Sequence, residues 1–150
     1  MNTHSALSPI IGFIFFAALW CLLNKLVSLL AWHRLAKHYA HPELVTTSER
    51  FRLPQATLGF IPYRGIIQAG VAPEGLSLTV FFLFRVGHPA LLIPWAALEP
   101  IKTSKFLFTT YFTTAVQVGT GQVKFQFMDH RLMQAMQSLQ RLEGVAPAAR

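Results

Sequence analysis

Residues 9–23 read Pro-Ile-Ile-Gly-Phe-Ile-Phe-Phe-Ala-Ala-Leu-Trp-Cys-Leu-Leu, a stretch with no charge that is apolar on every face of a helix. A helix of this kind has no wet side to offer a soluble domain, so it belongs in lipid or at the centre of a large core. After Asn24 and Lys25 the apolar character resumes through Leu26, Val27, Leu29, Leu30 and Ala31. A helix over residues 9–31 is then long enough to cross a hydrocarbon layer of about 30 Å. Pro9 suits its first turn, where an amide N–H has no partner anyway. Nine residues between Ile10 and Leu23 are Ile, Leu or Phe. At roughly −0.3 to −0.6 kcal/mol each, they favour insertion by about 3 to 5 kcal/mol. Lys25 offsets part of this, and its stem can carry the ammonium to the nearer interface.

The first eight residues hold no Lys or Arg, and the run is followed by basic residues instead of a small-x-small cleavage site. Both features argue against a cleaved signal peptide. Trp20 is too bulky for lipoprotein processing at Cys21, which reads as a lipid-facing or helix-packing thiol. As the single Cys it makes an intramolecular disulfide or a Cys-based metal cluster impossible.

The flanks set the orientation. His4 is the one candidate cation on the N-terminal side, against Lys25, Arg34 and Lys37 with His33, His38 and His41 on the other. The positive-inside rule makes residues 1–8 a short non-cytoplasmic tail and puts the C-terminus in the cytoplasm. Residues 32–47 read as a juxtamembrane helix and linker. Trp32, Leu35, Ala36 and Tyr39 fall on one helical face, so the span's helix is expected to continue into the headgroup layer, with Lys25, Trp32, Arg34, Lys37 and Tyr39 at the membrane interface. Pro42 stops it.

Residues 48–127 are rich in β-branched and aromatic residues and are cut by turn signals at short intervals, an all-β pattern. Strands are predicted at 56–61, 64–71, 76–84, 90–93, 98–102, 106–118 with a break near Thr113, and 122–127. Val123, Phe125 and Phe127 alternate with Gln122, Lys124 and Gln126, a strand with one wet face; the nearly all-apolar 76–84 should be central or covered. Asp129 then caps a helix whose stripe is Leu132, Met133, Met136, Leu139 and Leu142, and Gly144 ends it. The predicted domain is residues 48–143, with residues 144–150 a disordered tail.

About seven short antiparallel strands closed by an amphipathic C-terminal helix resembles the pleckstrin-homology-like (PH-like) fold, in particular the bacterial PH and GRAM-type domains. The residues that carry the likeness are Glu74-Gly75-Leu76-Ser77-Leu78, a strand opening after a tight turn, and Leu92-Ile93-Pro94-Trp95-Ala96-Ala97-Leu98, the segment before the second sheet. The whole chain is similar to small uncharacterised bacterial proteins with one N-terminal span and a segment like Phe82-Leu83-Phe84-Arg85-Val86-Gly87-His88-Pro89. The resemblance implies a bacterial inner-membrane, single-pass protein. PH domains that read phosphoinositides use a basic first hairpin; here the corresponding region offers Arg64 without a Lys/Arg cluster.

Sites are sparse. His33, His38 and His41 lie close in sequence, but a metal site needs three or four fixed ligands, and the default for this segment is interfacial polar residues. Arg85 and His88, with Arg64, are the possible partner or headgroup contacts, against a solvated turn as the plainer reading. Gly119-Thr120-Gly121 joins two strands and reads as a hairpin turn, not a phosphate cradle. No catalytic set, cofactor motif or metal cluster emerges, so the chain is expected not to be an enzyme. A pI near 10.2 raises nucleic acid, but the basic excess is mildly concentrated at the membrane and no basic stripe with interleaved aromatics exists. The expectation is therefore a non-enzymatic, membrane-anchored interaction module whose partners are the bilayer and an integral membrane protein complex, which it serves as accessory subunit or assembly factor. Two alternatives stay open: a tethered sensor of anionic lipid headgroups, and, remotely, an enzyme on a membrane substrate.

Overall fold

The computed structural model describes residues 3–41, 49–142 and 144. The uncharged run forms α1 (Thr3–Leu30), and its 28 residues rise about 42 Å. Its 22-residue stretch Pro9–Leu30 is long and apolar enough to span a membrane. Pro9 lies inside α1 and not in its first turn, so the helix begins six residues earlier than expected.

The helix does not run on unbroken. Ala31 leaves helical geometry (φ −132°, ψ −48°) before α2 (Trp32–Tyr39). The amphipathic face of α2 is the reason: Trp32 and Leu35 are fully enclosed by the β-domain, while His33, Arg34, Lys37 and His38 face outward. The bend at Ala31 lets that face meet the sheets. Beyond α2, Ala40 bridges Leu91 and His41 N–H donates to the Ala90 carbonyl (2.9 Å), so the chain covers a sheet edge. The expected stop at Pro42 and the linker up to residue 47 lie outside the described residues, as does the tail from 145 onward.

Among the described residues nine strands form two antiparallel sheets. They are β1 (Glu49–Arg52), β2 (Ala56–Leu58), β3 (Ile61–Tyr63), β4 (Ile67–Ala72), β5 (Gly75–Val80), β6 (Leu91–Pro94), β7 (Lys102–Phe106), β8 (Thr109–Val118) and β9 (Gly121–Phe127). The first sheet has the order β1-β4-β5-β6 and the second β3-β2-β9-β8-β7. The chain changes sheets between β1 and β2, across Pro54, returns between β3 and β4, and changes again after β6, where Leu98 bridges Val116.

Several predicted strands differ in detail, each for a local reason. Segment 56–61 divides into a hairpin because Gly59 takes φ +63°. Segment 76–84 ends at Val80 and gives way to a 3-10 turn, Phe82–Phe84. The break expected near Thr113 is absent, because β8 runs unbroken along β9; the break falls instead at Leu107, where φ is +52°. β9 keeps its wet face: Val123, Phe125 and Phe127 are buried and Lys124 is exposed. β5, the part of segment 76–84 that forms a strand, is an inner strand as expected.

The two segments that carry the fold resemblance are strand partners. Gly75 pairs with Pro94 and Leu76 with Ile93, and the Trp95 indole donates to the Ala72 and Pro73 carbonyls, each at 3.1 Å. At Gly75 a Cβ would sit 2.1 Å from the Ile93 carbonyl oxygen, so no larger residue fits.

The last helix, α3 (His130–Leu142), starts as expected: the Asp129 carboxylate accepts from the Arg131 and Leu132 amides at 2.8 and 3.1 Å. Its buried line is Leu132, Met136 and Gln140, an i, i+4, i+8 set, whereas Leu142 points to solvent, contrary to the expected stripe. Gly144 follows with φ +75°.

Candidate functional site

Three surfaces concentrate unusual side chains, and the first is the seam between α1 and the domain. Ser28, the one buried side chain in the C-terminal half of α1, donates its hydroxyl to the Gly87 carbonyl. Gly87 has φ +79°, and a Cβ there would approach the Lys25 Cα to 3.3 Å, so the β5–β6 loop closes directly on the helix. Farther along, the Trp20 and Phe84 rings lie 5.5 Å apart. Just past the bend the Trp32 indole donates to the Pro89 carbonyl at 2.9 Å.

Inside that seam His88 is enclosed by aromatic rings, with centroids 5.3 Å from Trp32 and 5.9 Å from Tyr63. Its Nε2 is 3.4 Å from the Tyr63 hydroxyl and its Nδ1 is 3.3 Å from the Val86 carbonyl. A neutral imidazole protonated on Nδ1 satisfies both contacts, donating to Val86 and accepting from Tyr63. Burial pushes the His88 pKa down, opposed in part by hydrogen bonds to the Val86 and Phe84 backbone. Burial pushes the Tyr63 hydroxyl up to about 12.

The second surface is a cavity of about 340 Å³ at the α1–α2 bend. Leu30, Phe60 and Val123 supply its apolar wall, and Arg34, Gln122 and Lys124 its polar side. Among the described residues neither Arg34 nor Lys124 makes an ion pair. Phe60, at the β2–β3 turn, is 93% exposed.

The third surface is the tip of the β7–β8 hairpin, where Phe106, Leu107 and Phe108 are all exposed. Phe106 pairs with Thr109 around a two-residue turn, and Leu107 alone in it has positive φ. Glycine is the residue that suits such a first turn position; a bulky leucine there is a strained choice that local folding does not require. The tip is far from the seam. The other end of β8 turns at Gly119, 3.8 Å from His38 of α2 as measured to its missing Cβ, and the ten residues of β8 extend about 33 Å.

The residues expected at the membrane interface separate. Lys25 and Lys37 are exposed, and Arg34 lines the cavity. Trp32 is a correction: its ring is enclosed in the core, so it cannot anchor in headgroups. Tyr39 is half-buried and its hydroxyl donates to the Gln117 carbonyl, fastening α2 to β8. Of the possible headgroup or partner contacts, Arg64 and Arg85 are exposed and sit at the same end of the first sheet, where Ile67 pairs with Val80 and Phe81 N–H donates to the Ile66 carbonyl. His88 is corrected both as a cation and as part of a solvated turn, because it is buried. Among the described residues no three His, Cys, Asp or Glu side chains come together to hold a metal ion.

Sequence reasoning missed Phe60, Lys124 and the tip. The tip had a signal: an apolar triplet lies between two strands rich in Thr, Ser and Lys, at a turn with no Gly, Asn, Asp or Pro. No family model, no curated protein and no solved structure matches the chain.

Proposed function

We propose that this chain is a single-span membrane protein whose PH-like domain is an interaction module, an accessory subunit or assembly factor of a bacterial inner-membrane protein complex, docking its partner through the β7–β8 tip. The observation that carries this reading is the exposed Phe106-Leu107-Phe108 triplet with Leu107 held at φ +52°. Solvent-facing aromatic and aliphatic anchors on a rigid hairpin are what a protein interface uses. Strand addition at an edge is less favoured. The β7 edge carries Lys102 and Lys105, β3 carries Pro62, and the β6 edge is bridged by Ala40, all devices that discourage pairing with a foreign strand.

The PH-like assignment is supported by two antiparallel sheets joined through the first segment, β1 pairing with β4 in one and β2 with β9 in the other, and by the C-terminal helix that follows them. The inner-membrane, N-terminus-out placement rests on the basic excess after the span. Among the described residues no catalytic constellation offers a competing activity.

The test is purification of the full chain from native membranes in mild detergent. A stoichiometric partner that is lost in Phe106→Ser with Phe108→Ser, and kept in Lys37→Gln, supports the reading. A partner retained at full stoichiometry by the tip variant overturns it.

The cavity favours a second reading, response to anionic lipid. Arg34 and Lys124 stand over an apolar wall beside the end of α1, a match for a phosphate with an acyl chain below it. Each cation near an anionic surface contributes about 1 kcal/mol, roughly thirtyfold for the pair. Retention of a specific anionic phospholipid, lost in Arg34→Gln with Lys124→Gln, would favour it.

A further inference from the structure

We propose that residues 81–86 lie within the bilayer beside α1, so that the β-domain is seated in the membrane surface and is not held clear of it. This rests on α1 being a membrane span. Phe81, Phe82, Leu83 and Val86 are all exposed on the domain, an apolar patch that a water-facing loop would not maintain. The contacts with α1 identify what covers it. Gly87 is fastened to Ser28 and packs on Lys25, while Phe84 meets Trp20. The loop therefore runs back along α1 for eight residues, about 12 Å of helix. Trp20 stands inside the uncharged run, three residues before its end at Leu23. A bilayer that covers Trp20 covers the loop that touches it.

The same contacts relocate the hydrocarbon boundary. Asn24 and Lys25 are the first polar residues after the run, and α1 at about 42 Å exceeds a hydrocarbon core of about 30 Å by roughly two turns. Placing the boundary at Asn24 moves the membrane-spanning part of α1 toward its start, a core of about 30 Å then reaching back about 20 residues to near His4, and leaves Lys25 to Ala31, with the Ser28 clasp, in the headgroup layer. Trp20 is then only about 6 Å below the boundary, a shallow depth from which the long stem of Arg85 reaches back to lipid phosphates. Arg85, exposed on this loop, thereby caps the wedge without burying its charge.

The experiment uses the full chain with Cys21→Ser and one nitroxide-labelled cysteine at a time, reconstituted in vesicles of phosphatidylcholine and phosphatidylglycerol. Leu83→Cys and Phe82→Cys test the loop; Phe15→Cys reports the span and Phe108→Cys the water-facing tip. Both loop positions are more than half exposed, so neither exchange disturbs the core. The labels at 82 and 83 are expected to collide with oxygen in preference to a water-soluble nickel chelate, as at 15, with chelate collisions several-fold below those at 108. Chelate access at 82 and 83 equal to that at 108, with 15 protected, overturns the proposal and leaves the span intact. Chelate access at 15 as well overturns the span and the proposal with it.

Discussion

The Trp32 indole donates to the carbonyl of Pro89, 2.9 Å away and 57 positions later in the chain, and so joins the first residue after the bend to the loop that packs on α1. The residue that would have been a headgroup anchor is a core residue, and α1 and the β-domain share one packed seam. Trp32→Ala is therefore expected to destabilise the domain by about 3 to 5 kcal/mol, as for other enclosed aromatics, measured as a lowered melting midpoint of the full chain in detergent. An interfacial tryptophan would leave that midpoint nearly unchanged. The same logic applies to a fragment of residues 44–143: it lacks Trp32 and Leu35 and is expected to be less stable than one beginning at Ala31.

Stability should fall in acid through His88. Burial holds its pKa below the ordinary value, so the unfolded chain takes up the proton at a higher pH than the folded one does. The contribution is complete above an unfolded value of about 6.5 and is lost as pH falls through it toward the folded pKa. Melting between about pH 7.5 and about pH 5 should show this decline, and His88→Gln, which does not titrate, should flatten it. An equal decline in the variant would place the acid sensitivity elsewhere.

Gly75→Ala is expected to cost at least about 2 kcal/mol, because the new methyl would be forced into backbone: the Ile93 carbonyl oxygen lies 2.1 Å from its position. Chemical denaturation of the two proteins measures this. A midpoint equal to that of the parent would mean that the β5–β6 pairing at Gly75 and Pro94 is not the one described.

Gln140 is buried on α3, and its side-chain Nε2 has no hydrogen-bond partner among the described residues. An unsatisfied buried amide costs about 1 to 3 kcal/mol. Gln140→Met, similar in length, is expected to raise the melting midpoint; a fall would show that the amide has a partner.

The long apolar helix, the all-β middle, the wet face of β9 and the capped final helix were legible because each rests on local periodicity or a local cap. What was not legible is long-range. Trp32, Leu35, Ala36 and Tyr39 do form one face, but periodicity cannot say whether that face meets lipid or a sheet; the answer lies in Pro89, Gln117 and Leu91, far along the chain. His88 beside Gly87 and Pro89 has the composition of a turn, yet its burial comes from Trp32 and Tyr63. At the tip, a leucine at a position that suits glycine hid the turn, so the break was expected near Thr113 instead of at Leu107.

In the proposed arrangement the β7–β8 tip docks a protein while the span side of the domain faces lipid. A photo-crosslinking side chain placed at Phe108, and separately at Phe60, in the full chain in native membranes tests it most directly. One discrete protein adduct is expected from position 108, and phospholipid adducts from position 60. Lipid adducts from both positions, with no protein adduct at 108, would contradict it.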